Sequence, residues 1–278
     1  MGALLALASS LTWGVADFMG GLAARRAGPV HVLAVSYPAG AVVVTCFALF
    51  LVPGEISTGV LIWGTLAGCI GALGIGLLYL ALVHGPMGIV SPITAVLAGA
   101  VPVFVGLLRG ESLSALASFG ILCAGVAVVL VSRETGEQAK VTMPTIGLAV
   151  ASGVAIGLYL SAIGSAPADS GVWAAALGRW VSTLIMLAVL LVFARPFVRQ
   201  GFPWLLVIAS GILDALANGV FQLAAQRGQL SVVAVIGSLY PVATVILAWV
   251  LIKERLNRIQ LVGVALALFA AATLSLSS

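Results

Sequence analysis

GVLIWGTLAGCIGALGIGLLYLALV, residues 59–83, carries no charged side chain. An α-helix needs about 20 apolar residues to cross the hydrocarbon of a bilayer. Backbone polar groups in lipid must pair within their own segment, so such a run reads as a membrane helix. A gap-free shift by 143 residues lays it on PWLLVIASGILDALANGVFQLAA, residues 203–225. Gly68/Gly211, Leu73/Leu216, Gly76/Gly219, Leu80/Leu223, Ala81/Ala224 and Gly85/Gly228 then coincide. The same offset pairs Ala8/Ala151, Ser9/Ser152, Gly14/Gly157 and Gly21/Gly164, and farther on Glu111/Glu254, Leu113/Leu256 and Gly120/Gly263. Ala and Leu coincide cheaply in an apolar chain, but paired glycines and paired loop glutamates at one offset indicate a duplication.

The rest of the chain is built alike. Of 278 residues, 62% are hydrophobic and 7% charged, against roughly 25% charged in a soluble domain. Further apolar runs fall at about 2–24, 31–52, 88–108, 113–132, 145–165, 171–194, 230–252 and 259–276. The expected fold is all-α: a polytopic membrane protein of ten transmembrane helices in two inverted five-helix repeats, 1–132 and 145–278. The stretch RETGEQAKVTMP, 133–144, is the one water-exposed linker between them. The first run lacks the positive flank of a signal peptide and is too long for its apolar core, so it is read as a membrane helix.

An odd number of spans per half inverts the second half relative to the first. Arg25, Arg26, Arg133, Lys140, Arg195, Arg199, Lys253, Arg255 and Arg258 then share one face, whereas Arg109 and Arg227 lie on the other. Basic residues stay on the cytoplasmic side. The linker is therefore expected in the cytoplasm and both termini outside, in a bacterial inner membrane. The net charge of +4 is dispersed over these gaps, leaving no patch for nucleic acid. Cys46, Cys69 and Cys123 stand singly in apolar runs and read as buried small hydrophobes. No metal or cofactor is implied. The expected partners are the lipid bilayer and a small-molecule solute; the oligomeric state is open, with a monomer plausible.

Small residues four apart let helices approach in lipid. Gly68, Ala72 and Gly76 form such a stripe, matched by Gly211, Ala215 and Gly219. Pro38, Pro92, Pro102 and Pro241 lie inside spans, where each removes a hydrogen bond and tends to kink its helix. Asp17, Arg179 and Asp214 are the charges inside spans. Each costs about 2.5–3.5 kcal/mol at the bilayer centre on insertion scales. Asn218 and Gln222 continue one side of the helix from Asp214, and Ser10, Gly14, Asp17 and Gly21 share a face flanked by Trp13. Two readings stand: Arg179 pairs with an aspartate to hold the bundle, or the charges line a solute path. His31 and His84 lie at span ends and read as interfacial, as do Trp63, Trp173 and Trp204.

Trp13-Gly14 in the first span, and a proline-bearing span followed by a Glu-x-Leu turn, resemble the EamA-type transporters of the drug/metabolite transporter superfamily. The turn occurs as Gly110-Glu111-Ser112-Leu113 and as Lys253-Glu254-Arg255-Leu256. The second copy has Pro241 thirteen residues before Glu254; the first departs, with Ala98 at that spacing and prolines at 92 and 102. The resemblance covers nearly the whole chain. It implies a central cavity lined by the first, third and fourth spans of each half, hence Trp13, Asp17, Tyr79 and Thr94 facing Tyr159, Asp214, Asn218 and Tyr240. Arg179 joins these as a candidate solute contact. Many relatives have cytoplasmic termini, the reverse of what the charges here predict.

The expected function is export or exchange of a small polar metabolite, an amino acid or similar, by alternating access at a midplane site. Low dielectric favours the neutral form of a carboxyl, so Asp214 or Asp17 could couple transport to protons. A passive channel is the alternative, although it would show charge rings or a filter repeat. A membrane enzyme is less favoured. Gly211-Ile212-Leu213-Asp214 does not fit the motif of intramembrane aspartyl proteases, and no nucleophile–base pair or phosphate loop lies in the spans.

Overall fold

The computed structural model describes residues 1–85, 87–131, 142–193, 201–251 and 257–277, and every regular element in them is a helix. In order these are α1 (Gly2–Ala27), α2 (Pro29–Phe50), α3 (Thr58–His84), α4 (Met87–Leu108), α5 (Ala115–Val131), α6 (Met143–Ile163), α7 (Trp173–Phe193), α8 (Trp204–Ala225), α9 (Leu230–Gly237), α10 (Tyr240–Leu251) and α11 (Arg258–Ser277). Eight are long and apolar enough to cross a bilayer; α5 and the stretch Leu230–Thr244 are shorter apolar helices. The linker residues 133–141, the Lys253–Leu256 turn and the basic residues Arg133, Lys140, Arg195, Arg199, Lys253 and Arg255 lie outside the described residues. Helix α6 begins within the expected linker, at Met143, where the Thr142 side chain accepts the Thr145 N–H.

Boundaries follow local chemistry. Between α1 and α2, Gly28 adopts φ 82°, which an L side chain resists, and Pro29 opens the next helix, where a missing N–H costs nothing. Pro38, Pro92 and Pro102 stay inside continuous helices. Only at Pro241 does a helix break. The Pro241 ring crowds the carbonyl four residues back, so the chain leaves α9 at Gly237 and resumes as α10 at Tyr240. Three-residue bonds tighten the junction, from Leu239 N–H to the Ile236 carbonyl (3.2 Å) and from Val242 N–H to that of Leu239 (3.0 Å).

The interior is made of small side chains and the exterior of large apolar ones. Alanines dominate the buried set, while Phe50 (78% exposed) and Leu205 (81%) point outward with many other leucines and valines. That arrangement suits lipid as the solvent, since close packing rather than hydrophobic exclusion joins helices there. None of the three cysteines expected to be buried is so: Cys46 and Cys69 are exposed and Cys123 half-buried, because each occupies a surface-facing turn of its helix.

Helix α1 packs mainly on α8 and α9–α10, and α6 packs on α3 and α4; α2 lies against α7 and α8, α3 against α7, and α5 against α11. Equivalent contacts recur at the duplicated positions. The Ser9 hydroxyl donates to the Ala217 carbonyl (2.8 Å), and that of Ser152 donates to the Gly74 carbonyl (2.9 Å). A Cβ at Gly14 would lie 2.7 Å from the Tyr240 carbonyl oxygen, and one at Gly157 3.1 Å from that of Leu97. Gly68 packs against Gly178 and Val181 of α7, and Gly211 against the Ser36 carbonyl of α2. The small-residue stripe ends there: nothing approaches Gly76, and Gly219 has only ordinary contact with Phe47.

Candidate functional site

Among these packed helices lies a cavity whose empty space, counting the part open to solvent, is about 680 Å³. Helix α1 contributes Trp13 and Asp17, one turn apart on one face. Helix α8 contributes Asp214 and Asn218 in the same way; Arg179 and Ser182 come from α7, Tyr159 from α6, and Tyr37 from α2. The break between α9 and α10 supplies Gly237, Ser238 and Tyr240. Interrupted backbone at membrane depth is tolerated where it lines a cavity.

The Arg179 side chain is 8% exposed and forms an ion pair with Asp214, whose side chain is 19% exposed. Its guanidinium carbon also lies 4.7 Å from the centre of the Tyr37 ring, so its charge is met on two sides. The Tyr159 hydroxyl donates to Asn218 Oδ1 (2.6 Å), and Asn218 Nδ2 donates to the Asp214 carbonyl (2.6 Å). Gly71 makes room for the Tyr159 ring, which a Cβ there would meet at 2.9 Å. Trp13 is held by Phe221, ring centres 5.5 Å apart. Asp17 senses the charge of Asp214 but has no hydrogen-bond or ion-pair partner among the described residues. The buried Tyr240 hydroxyl likewise has no partner among them.

Seven of the nine expected residues therefore meet in one cavity: Trp13, Asp17, Tyr159, Arg179, Asp214, Asn218 and Tyr240. Tyr79 lines a smaller adjoining pocket with Asp17, Ser36 and Asp214, its hydroxyl pressed against Gly20. Thr94 does not reach either space. It is fully buried between α4 and α6, and its hydroxyl donates to the Ala149 carbonyl (3.3 Å). Gln222 does not extend the polar stripe to a cavity mouth either. Its Oε1 accepts the Ala175 N–H (2.8 Å) and its Nε2 donates to the Ser170 hydroxyl (3.0 Å), which satisfies the first turn of α7. Tyr37, not expected from the sequence, is a principal wall; the signal available was its place about two turns inside a span, next to Pro38. Among the described residues no group of three or more His, Cys, Asp or Glu comes together to hold a metal ion.

The end of the bundle where α4 and α8 finish and α7 and α9 begin is tied together by hydrogen bonds. Glu111 accepts from Leu230 N–H (2.9 Å), Ser231 N–H (3.1 Å) and the Ser231 hydroxyl (2.6 Å), placing a carboxylate on the N-terminus of α9. Gln229 Nε2 donates to the Ser112 carbonyl (3.3 Å), Arg109 donates to the Ser165 hydroxyl (2.6 Å), and Gln226 donates to the Gly171 carbonyl (2.9 Å).

Comparison with known proteins decides the family. The model of the EamA-like transporter family matches residues 1–133 and again 143–276. The chain belongs to the EamA-like transporter family. Membership makes it a multi-pass membrane transporter protein, in accord with its apolar helices. One solved structure, described only as the crystal structure of a protein, is similar with a TM-score of 0.78 at 19% identity. The match covers 99% of this chain and 96% of that one, which shows a shared fold. No curated protein matches the chain.

Proposed function

We propose that this EamA-like protein is a secondary transporter that moves a small polar metabolite, an amino acid or similar, by alternating access. The observation that carries the reading is the charged cavity at mid-bundle, walled by α1–α4 on one side and α6–α10 on the other. An ion pair alone would close over itself, whereas here two further polar residues, Asp17 and Tyr240, line the same cavity, and the buried Tyr240 hydroxyl has no partner among the described residues.

The proposed frame is ten spans in two inverted halves, 1–132 and 145–278. It is supported by the two family-model matches and by the equivalent Ser9–Ala217 and Ser152–Gly74 bonds. The tied end around Glu111 supports a state closed on one face. Rocking one half against the other would release those ties and expose the cavity there. Arg25, Arg26 and Arg258 lie at the opposite end of the bundle, which supports the reading that this end faces the cytoplasm of a bacterial inner membrane, with both termini outside. A proton would be exchanged at Asp17 or Asp214 as solute binds and leaves.

Counterflow in proteoliposomes tests the reading. Purified protein is screened against amino acids, amines and nucleosides, each radiolabelled outside and unlabelled inside. A carrier accelerates entry of label when unlabelled solute is present on the far side. Entry indifferent to internal solute would instead describe a pore.

A further inference from the structure

The cavity holds three ionisable charges, and two of them already cancel. Arg179 is matched by the Asp214 carboxylate and by the face of Tyr37. An anionic group on a solute would have to displace one of these to reach it. Asp17 is the remaining charge, and no described residue pairs with it. Burying an unpaired carboxylate is costly unless a partner arrives.

A second, independent residue lines the same space. Tyr240 is 8% exposed, its hydroxyl is buried without a partner among the described residues, and it lines the cavity on the helix break packed against α1. The hydroxyl lies within electrostatic range of Asp17. A phenol oxygen accepts a hydrogen bond as readily as it donates one. Trp13, one turn from Asp17 on α1, adds an indole face to the same wall, and indole is the strongest of the aromatic faces for a cation. Carboxylate, phenol oxygen and indole face are together the complement of an N–H-bearing cation.

We propose that the transported solute is an organic ammonium whose charged nitrogen is held by the Asp17 carboxylate, with the Tyr240 oxygen and the Trp13 face completing its shell. This rests on the transporter reading above and narrows its substrate class: the amine is the recognised group, and a carboxylate on the solute is not required. The Arg179–Asp214 pair is neutral as a whole, so the site favours one net positive charge.

Binding to the full-length protein in detergent, measured by titration calorimetry, separates this from the transport question. The probes are primary amines from ethylamine to phenethylamine, with 3-phenylpropionate as the matched acid and phenylalanine as the matched zwitterion. Phenethylamine is expected to bind more tightly than either matched compound. Asp17→Asn should weaken amine binding by about ten-fold or more, the worth of a charge-assisted contact, and Tyr240→Phe should weaken it several-fold. Tighter binding of the acid or the zwitterion, no binding of any amine, or unchanged amine affinity in Asp17→Asn would overturn the proposal. Should Asp17→Asn fail to fold, Tyr240→Phe and the ligand order in the parent protein still decide. Amine binding without counterflow would remove the transporter reading and leave the site chemistry standing; counterflow of acids without amine binding would do the reverse.

Discussion

The guanidinium of Arg179 and the carboxylate of Asp214 form an ion pair across α7 and α8, inside the bundle and at the wall of its cavity. Removing one partner of a buried pair leaves the other uncompensated, at a cost of about 3–5 kcal/mol. Arg179→Gln should therefore lower the thermal midpoint markedly. The double variant Arg179→Gln/Asp214→Asn should recover most of the loss, because it removes both charges. A single variant as stable as the parent would show that the pair contributes nothing to assembly.

The two aspartates should separate in their effects. Asp17 has no partner to strand, so Asp17→Asn should assemble with near-parental stability and lose accumulation driven by a pH gradient. Asp214→Asn strands Arg179 and should lose stability and accumulation together. Size-exclusion profiles and accumulation in proteoliposomes under an imposed pH gradient check both. Parental accumulation in Asp17→Asn would move any coupling to Asp214.

Glycine positions that read alike in the sequence should differ in tolerance. At Gly14 a Cβ would lie 2.7 Å from the Tyr240 carbonyl oxygen, between rigid backbones, whereas at Gly76 it meets nothing within 4 Å. Gly14→Ala should cost about 1–3 kcal/mol as overpacking, and Gly76→Ala should be neutral or stabilising, as helix propensity alone dictates. Thermal unfolding of the two variants side by side tests this.

These contrasts explain what the sequence could reveal. The apolar runs were legible because lipid allows few spanning structures, and seven of the nine expected site residues share the cavity because polar groups in spans have few other places to go. The duplicated positions, Ser9/Ser152 and Gly14/Gly157, turn out to join helices. The chemistry lies where the halves differ: the offset pairs Asp214 with Gly71 and Arg179 with Ser36. Thr94 and Gln222 could not be placed by depth alone, since a hydroxyl on a helix–helix contact and one on a cavity wall have the same sequence signature. Tyr37 escaped for a similar reason, because only the fold brings its ring over Arg179.

Alternating access requires that the cavity open to each face in turn, and that the end tied by Glu111, Ser112 and Gln229 come apart in each cycle. Ser112→Cys and Gln229→Cys, introduced with Cys46, Cys69 and Cys123 replaced by alanine, can be bridged by a short reducible cross-linker across the bond from Gln229 Nε2 to the Ser112 carbonyl. Solute exchange is then measured in proteoliposomes before bridging, after bridging and after reduction. Exchange should stop when the bridge forms and return when it is reduced. Exchange at the unbridged rate with the bridge in place would contradict opening at this end.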